Sequence, residues 1–173
     1  LESIEGYNCY LSPERFRSVV ESVGCSIIGQ TEDLAPADKK LYALRDVTAT
    51  VNKKELITAS ILGKKLAEGI NCLVLDVMKT TEEARALAAL MVRIAKEHGV
   101  KVSALITDMD CPLGNAVGNS LEVIEAIECL KGRAPEDYTS LAIELAARML
   151  YLAEKGTMEE CRIQCEKALE NGA

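Results

Sequence analysis

CLVLDVMKTTEEARALAALMVRIAKEHGVKVSALIT, residues 72–107, reads as strand, helix, strand. Cys72 to Val77 is a short apolar run broken by one Asp, the composition of a buried strand. Thr80 or Thr81 supplies a cap, Glu82 and Glu83 put acids in the first turn, and apolar positions then recur at helical spacing as far as Lys96. Gly99 stops the helix, and Val100 to Thr107 forms a second strand. Residues 71–107 thus make one βαβ unit, which predicts parallel strands joined by a right-handed crossover.

Upstream, Ser12-Pro13-Glu14 has the order of a helix start: cap, proline at the first helical position, acid in the first turn. Phe16, Val19, Val20 and Val23 follow at helical spacing, and Gly24 closes the helix. Cys25 to Gly29 reads as a further short buried strand, and helices are predicted from about Pro36 to Arg45 and from Lys54 to Gly69. Downstream of the βαβ unit, three helices are expected: one from Gly118 to about Lys131, one from Pro135 to Glu154, and one from Thr157 to Glu170 with Gly172 beyond its end. The order predicts a single α/β domain over 1–173, layered α/β/α with a mainly parallel sheet and a purely helical C-terminal part.

Composition narrows the function. The chain has 173 residues, enough to bury a core without disulfides. Twenty basic residues against 27 acidic ones give a net charge of −7, a poor surface for nucleic acid. Aromatic residues are 3%, so base-stacking platforms are not expected either. No apolar run reaches membrane-spanning length, and the start Leu1-Glu2-Ser3 lacks the pattern of a signal peptide. The missing initiator Met suggests a processed or cut-out piece. Seven scattered Cys with no CxxC pair, and His98 as the one His, predict reduced thiols, a cytoplasmic setting and no zinc site.

Polar residues inside apolar stretches are the candidates for chemistry. Ser60 and Lys64 lie one turn apart beside Ile57 and Ile61, away from the other charges of their helix. Either Lys64 snorkels and Ser60 bonds back to its own helix, or both serve a ligand. Arg45-Asp46 interrupts the run Leu44 to Val47; it suits a structural ion pair or a guanidinium fork for a ligand with carbonyl oxygens. Three donors without a nucleophile would hold a neutral, acceptor-rich heterocycle. Asp76, Asp108 and Asp110 end the two central strands, where turn and cap roles explain them. His98 at a helix end reads as a cap, Gly114 and Gly118 as a weak phosphate-loop signal, and Cys161 with Cys165 as core packing.

Several runs carry a specific resemblance: KLYALRDVTATV (40–51), LITASILGKKLAEG (56–69), LVLDV (73–77), ITDMDCPLGNAVGNSLEVIEAIECLKG (106–132), the opening LESIEGYN and GQTEDLAPADKK (29–40). They resemble thymidine and pyrimidine-nucleoside phosphorylases, pentosyltransferases that split a pyrimidine nucleoside with phosphate into base and pentose 1-phosphate. The resemblance implies a homodimer, and it places the pyrimidine-binding Arg, Ser and Lys on Arg45, Ser60 and Lys64. It assigns a catalytic Asp to Asp38 and a pocket Tyr to Tyr42. A monovalent cation bound in bacterial members would fall on the carbonyls of Leu113 and Ala116 and the carboxylate of Glu125.

The departures are equally specific. The family's phosphate ligands, active-site His and Gly-Thr-rich loop precede the residues matched here. A Lys-containing, Gly-rich loop expected after the LVLDV strand is replaced by a direct run from Val77 into Met78-Lys79-Thr80, and Lys53-Lys54-Glu55 stands where a Ser-Ile-Pro-like turn is usual. The family's C-terminal α+β portion has no match either. Phosphorolysis requires phosphate held in line with the glycosidic carbon. Two expectations follow: a phosphorylase that needs further segments for activity and is monomeric without them, or a trimmed, non-catalytic α/β domain of that family.

Overall fold

The computed structural model describes residues 1–29, 31, 35–77 and 81–172. In chain order the elements are α1 (Pro13–Val23), α2 (Pro36–Val47), α3 (Lys54–Ala67), β1 (Cys72–Val77), α4 (Thr81–Glu97), β2 (Lys101–Ile106), α5 (Asn119–Leu130), α6 (Glu136–Leu152) and α7 (Met158–Asn171). β1 and β2 pair in parallel, in register from Cys72 opposite Lys101 to Val77 opposite Ile106.

Strand alternation sorts the side chains into two layers. Leu73, Leu75 and Val77 of β1, with Val102 and Ala104 of β2, meet Ala84, Leu87, Ala88 and Met91 of α4 and Ile57 and Ile61 of α3. A second patch joins Leu62 of α3, Ala95 of α4 and Val100. The intervening residues turn to the other face, toward α6. There the Cys72 thiol donates to the Leu152 carbonyl at 3.2 Å, and Arg148 Nη1 donates to Ser103 Oγ at 3.4 Å. α7 packs on α6 and completes that layer. The α/β/α layering and the helical C-terminal part therefore agree with the sequence reading.

Helix ends follow the local signals. The Ser12 hydroxyl accepts from the Arg15 amide, and Thr157 forms a capping box with Glu160. Gly24 (φ 94°) and Gly172 (φ 74°) adopt left-handed conformations that a side chain would strain, and each donates its N–H back to its helix.

One expectation is corrected. Cys25–Gly29 is not a strand, and among the described residues the sheet has two strands. A strand needs a ladder; among the described residues this segment has a single backbone bond, Gly29 N–H to Cys9 O at 2.8 Å, plus the Tyr7 hydroxyl donating to Ile27 O at 2.6 Å. Cys25 and Ile27 are exposed, so apolar content alone misled the reading. Thr80 as a cap and the junction of Val77 with Met78-Lys79-Thr80 lie outside the described residues.

Candidate functional site

Asp38 organises the site. Pro36 at the first helical position starts α2 and places Asp38 in its first turn, facing α3. Its Oδ2 accepts from Ser60 Oγ at 3.1 Å and lies 3.3 Å from Lys64 Nζ. Ser60 is buried, while Lys64 keeps about a quarter of its side chain open, 28% against 17% for Asp38. Ser60 therefore does not bond back to its own helix, and Lys64 does not simply reach into water. The one-turn spacing of Ser60 and Lys64 lets a single carboxylate hold both.

Tyr42 lies one helical turn after Asp38 and links this cluster to Arg45. The Arg45 guanidinium carbon is 5.1 Å from the Tyr42 ring centre and Lys64 Nζ is 5.9 Å from it, within cation–π range. Arg45 is buried at 7% exposure. Its Nη1 donates to Leu56 O at 3.4 Å and its Nη2 to Val51 O, so the fork clamps the turn between α2 and α3. Arg45 Nε is left with no hydrogen-bond partner among the described residues. The structure thus brings Asp38, Tyr42, Ser60 and Lys64 around one point, with Arg45 over the Tyr42 ring and largely committed to backbone carbonyls. The accessible donor is Lys64, whose ammonium has N–H bonds to spare after Asp38.

Sequence reasoning passed over Thr58. It is 1% exposed, and its hydroxyl has no partner among the described residues. Its signal in the sequence is a hydroxyl among the apolar residues of α3, two positions before Ser60 and so on a different face of the helix.

The loop before α5 is a separate centre. Glu125 Oε1 accepts from the Asn115 amide at 2.8 Å and Oε2 from the Ala116 amide at 3.2 Å. The Gly114 amide donates to Asp137 Oδ2 at 3.2 Å, and the Gly118 amide to Glu122 Oε1 at 3.0 Å. The amides that made this loop a weak phosphate signal are thus held by the chain's own carboxylates, which repel an anion. Of the residues expected to hold a cation, Glu125 reaches this loop from α5 through the Asn115 and Ala116 amides.

The remaining candidates have structural roles. Asp76 Oδ1 accepts from Thr107 Oγ1 at 2.6 Å, tying the two strand ends, and Asp108 Oδ1 accepts from the Asp110 amide at 2.9 Å in a turn. Among the described residues, no group of three His, Cys, Asp or Glu side chains could hold a metal ion. No described helix is long and apolar enough to cross a membrane. All seven cysteines are free; Cys161 is fully buried, and burial raises the Cys165 thiol above its ordinary pKa.

The profile of the glycosyl transferase family, a/b domain, matches residues 1–173. Pyrimidine-nucleoside phosphorylases are similar along the chain: that of Geobacillus stearothermophilus is 48% identical over 181 positions, covering 100% of this chain. That of Staphylococcus haemolyticus is likewise 48% identical over 100% of the chain, and that of Bacillus subtilis 47% over 99%. The chain spans 42% of the length of each of these relatives. With its whole length matched and its α/β layers in place, the chain belongs to the glycosyl transferase family, as the a/b domain of that family.

Proposed function

We propose that the α2–α3 cluster binds the base of a pyrimidine nucleoside, and that the chain carries the base-binding half of a pyrimidine-nucleoside phosphorylase. The observation behind this reading is the convergence of Ser60 Oγ and Lys64 Nζ on Asp38 beside the Tyr42 ring. A pyrimidine is flat and rimmed by carbonyl oxygens. Tyr42 offers it a face, and Lys64 a charged donor for a ring oxygen. Arg45 fixes Tyr42 and the turn after α2.

In phosphorolysis the bond from the sugar carbon to the base nitrogen breaks while a phosphate oxygen bonds to that carbon. Electrons of the broken bond pass to the base, so negative charge develops on the ring and its carbonyl oxygens. A fixed ammonium at a ring oxygen stabilises that charge more than it stabilises the neutral nucleoside. Asp38 acts by holding Lys64 and Ser60 in place rather than by attacking the sugar. Phosphate is the co-substrate, and its ligands come from segments outside these 173 residues. A monovalent cation would sit between the Leu113 and Ala116 carbonyls and Glu125. The same reading assigns a homodimer to the complete enzyme and a reducing, cytoplasmic setting, which the seven free thiols support.

The test is chromatographic: thymidine, phosphate and the purified chain, with free thymine measured over time. The account expects no phosphate-dependent release by this chain alone. Turnover would overturn its assignment as a base-binding half. The non-catalytic alternative predicts the same silence and differs in base affinity.

A further inference from the structure

α5 is amphipathic in the reverse sense. Leu121, Ile124, Ile127 and Leu130 recur every third residue and are 37–67% exposed, while the smaller Val123, Ala126 and Cys129 turn inward. Residues three apart are neighbours on a helix surface, so the four side chains form one continuous row. Val117, in the preceding loop, is exposed as well and lines a groove of about 640 Å³ with Leu121 and Ile124. Among the described residues α5 has no extensive packing against another element. A contiguous row of large aliphatic side chains in water marks an interaction surface. The charges around it are unequal along the helix. Glu122 lies in the first turn, accepts from the Gly118 amide and has no cationic partner among the described residues. Lys131 follows the last turn and meets Glu128 through one contact at 3.3 Å, which leaves it N–H bonds to spare.

We propose that α5 docks on α5 of a second copy of this chain, antiparallel, across a twofold axis between Ile124 and Ile127. The row is symmetric about that point, so Leu121 of each copy meets Leu130 of the other and Ile124 meets Ile127. The antiparallel arrangement brings Lys131 of each copy beside the first turn of the other, where Glu122 supplies the opposite charge, and it sets opposite helix-dipole ends side by side. A parallel pairing would instead put Glu122 on Glu122 and Lys131 on Lys131. A helix of 12 residues is about 18 Å long. Such a surface falls short of the roughly 800 Å² per partner of a standard complex, so the dimer is weak, with a Kd on the order of 100 μM. The inference concerns these 173 residues themselves and is independent of the base site on α2 and α3.

The experiment is sedimentation equilibrium of the chain from about 10 μM to about 1 mM, a range that brackets the expected Kd. The mean mass should rise from 18.7 kDa toward twice that value. Ile124→Asp and Ile127→Lys should each weaken association at least about tenfold, and the double variant should return to within about threefold of the parent, because the acid of each copy then faces the base of the other. Leu44→Lys, on the exposed apolar side of α2, should leave association unchanged. A chain that stays monomeric to about 1 mM would overturn the proposal. So would dimers that survive Ile124→Asp, or that Leu44→Lys abolishes. Failure of the double variant to recover would overturn the antiparallel register. If Ile124→Asp fails to fold, Leu130→Lys at the exposed end of the row gives the same test of the surface.

Discussion

Asp38 Oδ2 lies 3.3 Å from Lys64 Nζ, joining the first turn of α2 to the last turn of α3 across 26 residues of sequence. α2 has no extensive packing among the described residues except against α3. Its Leu41, Leu44 and Val47 face outward and are exposed. Polar contacts therefore hold this helix in position: the Asp38 clamp at one end and the Arg45 fork at the other. The candidate base site is built from the same contacts, so stability and binding share residues here.

Asp38→Ala should remove the Ser60 and Lys64 contacts together and cost about 1–2 kcal/mol, since the pair is only partly screened from water. Asp38→Asn retains an acceptor for Ser60 and should cost less than half of that. Urea unfolding of the three proteins gives the comparison; equal losses would show that the carboxylate charge, rather than the shared acceptor, does the holding.

Arg45 is a sharper case. Arg45→Met leaves Val51 O and Leu56 O without their donor and should cost about 2–4 kcal/mol. Arg45→Lys should recover little, because one ammonium cannot span both carbonyls as the planar fork does. Recovery of most of the stability by lysine would mean that charge alone matters at this position.

Gly114 and Gly132 offer a paired test of the α5 loop. Both have positive φ, 70° and 71°, so alanine is strained at either by about 1–2 kcal/mol. At Gly132 an added Cβ meets open space, whereas at Gly114 it would come 2.5 Å from Glu125 Oε2. Gly114→Ala should therefore lose at least about 1 kcal/mol more than Gly132→Ala in thermal unfolding, by displacing the carboxylate that holds Asn115 and Ala116. Equal losses would mean that Glu125 moves aside freely.

Much of this architecture can be read along the chain, and the reasons are local. The βαβ unit shows because two short apolar runs flank a helical repeat between Cys72 and Thr107, and helix ends show because Ser12, Gly24, Thr157 and Gly172 act within a turn of themselves. Cys25–Gly29 misled because a strand is defined by a distant ladder partner that apolar composition does not reveal. In the site, Ser60 and Lys64 stood out from their helix wheel, while their shared acceptor did not. Asp38 is 22 residues from Ser60, and nothing in a helix start indicates what its first-turn acid will meet across space. Arg45 stands out as a charge in an apolar run, suited to an ion pair or to a ligand, but its partners are two backbone carbonyls, which leave no side-chain signature.

Glu144 contributes to the acid limb of stability. The hydrogen bond from Arg162, assisted by Arg148, holds its carboxyl below the ordinary carboxylate range, against the opposing effect of burial. Arg162 Nη2 and Arg148 Nη2 each lie 2.7 Å from a different Glu144 oxygen, fastening α7 to α6. Because the folded-state pKa is the lower one, this contribution is complete above the unfolded value of about 4.3 and disappears as pH falls through the folded value. Glu144→Gln should flatten the decline of the urea midpoint below about pH 4.3 and shift the plateau near neutrality downward. An unchanged acid slope would show that other carboxylates dominate.

The most direct test of the central claim is a calorimetric titration of thymine into the chain and into Lys64→Met. The account predicts saturable binding by the parent chain, weakened at least about tenfold in Lys64→Met while Lys65→Met leaves it unchanged. No heat of binding at millimolar thymine, or equal affinity in the Lys64 variant, would contradict the base-binding reading and leave the non-catalytic scaffold in its place.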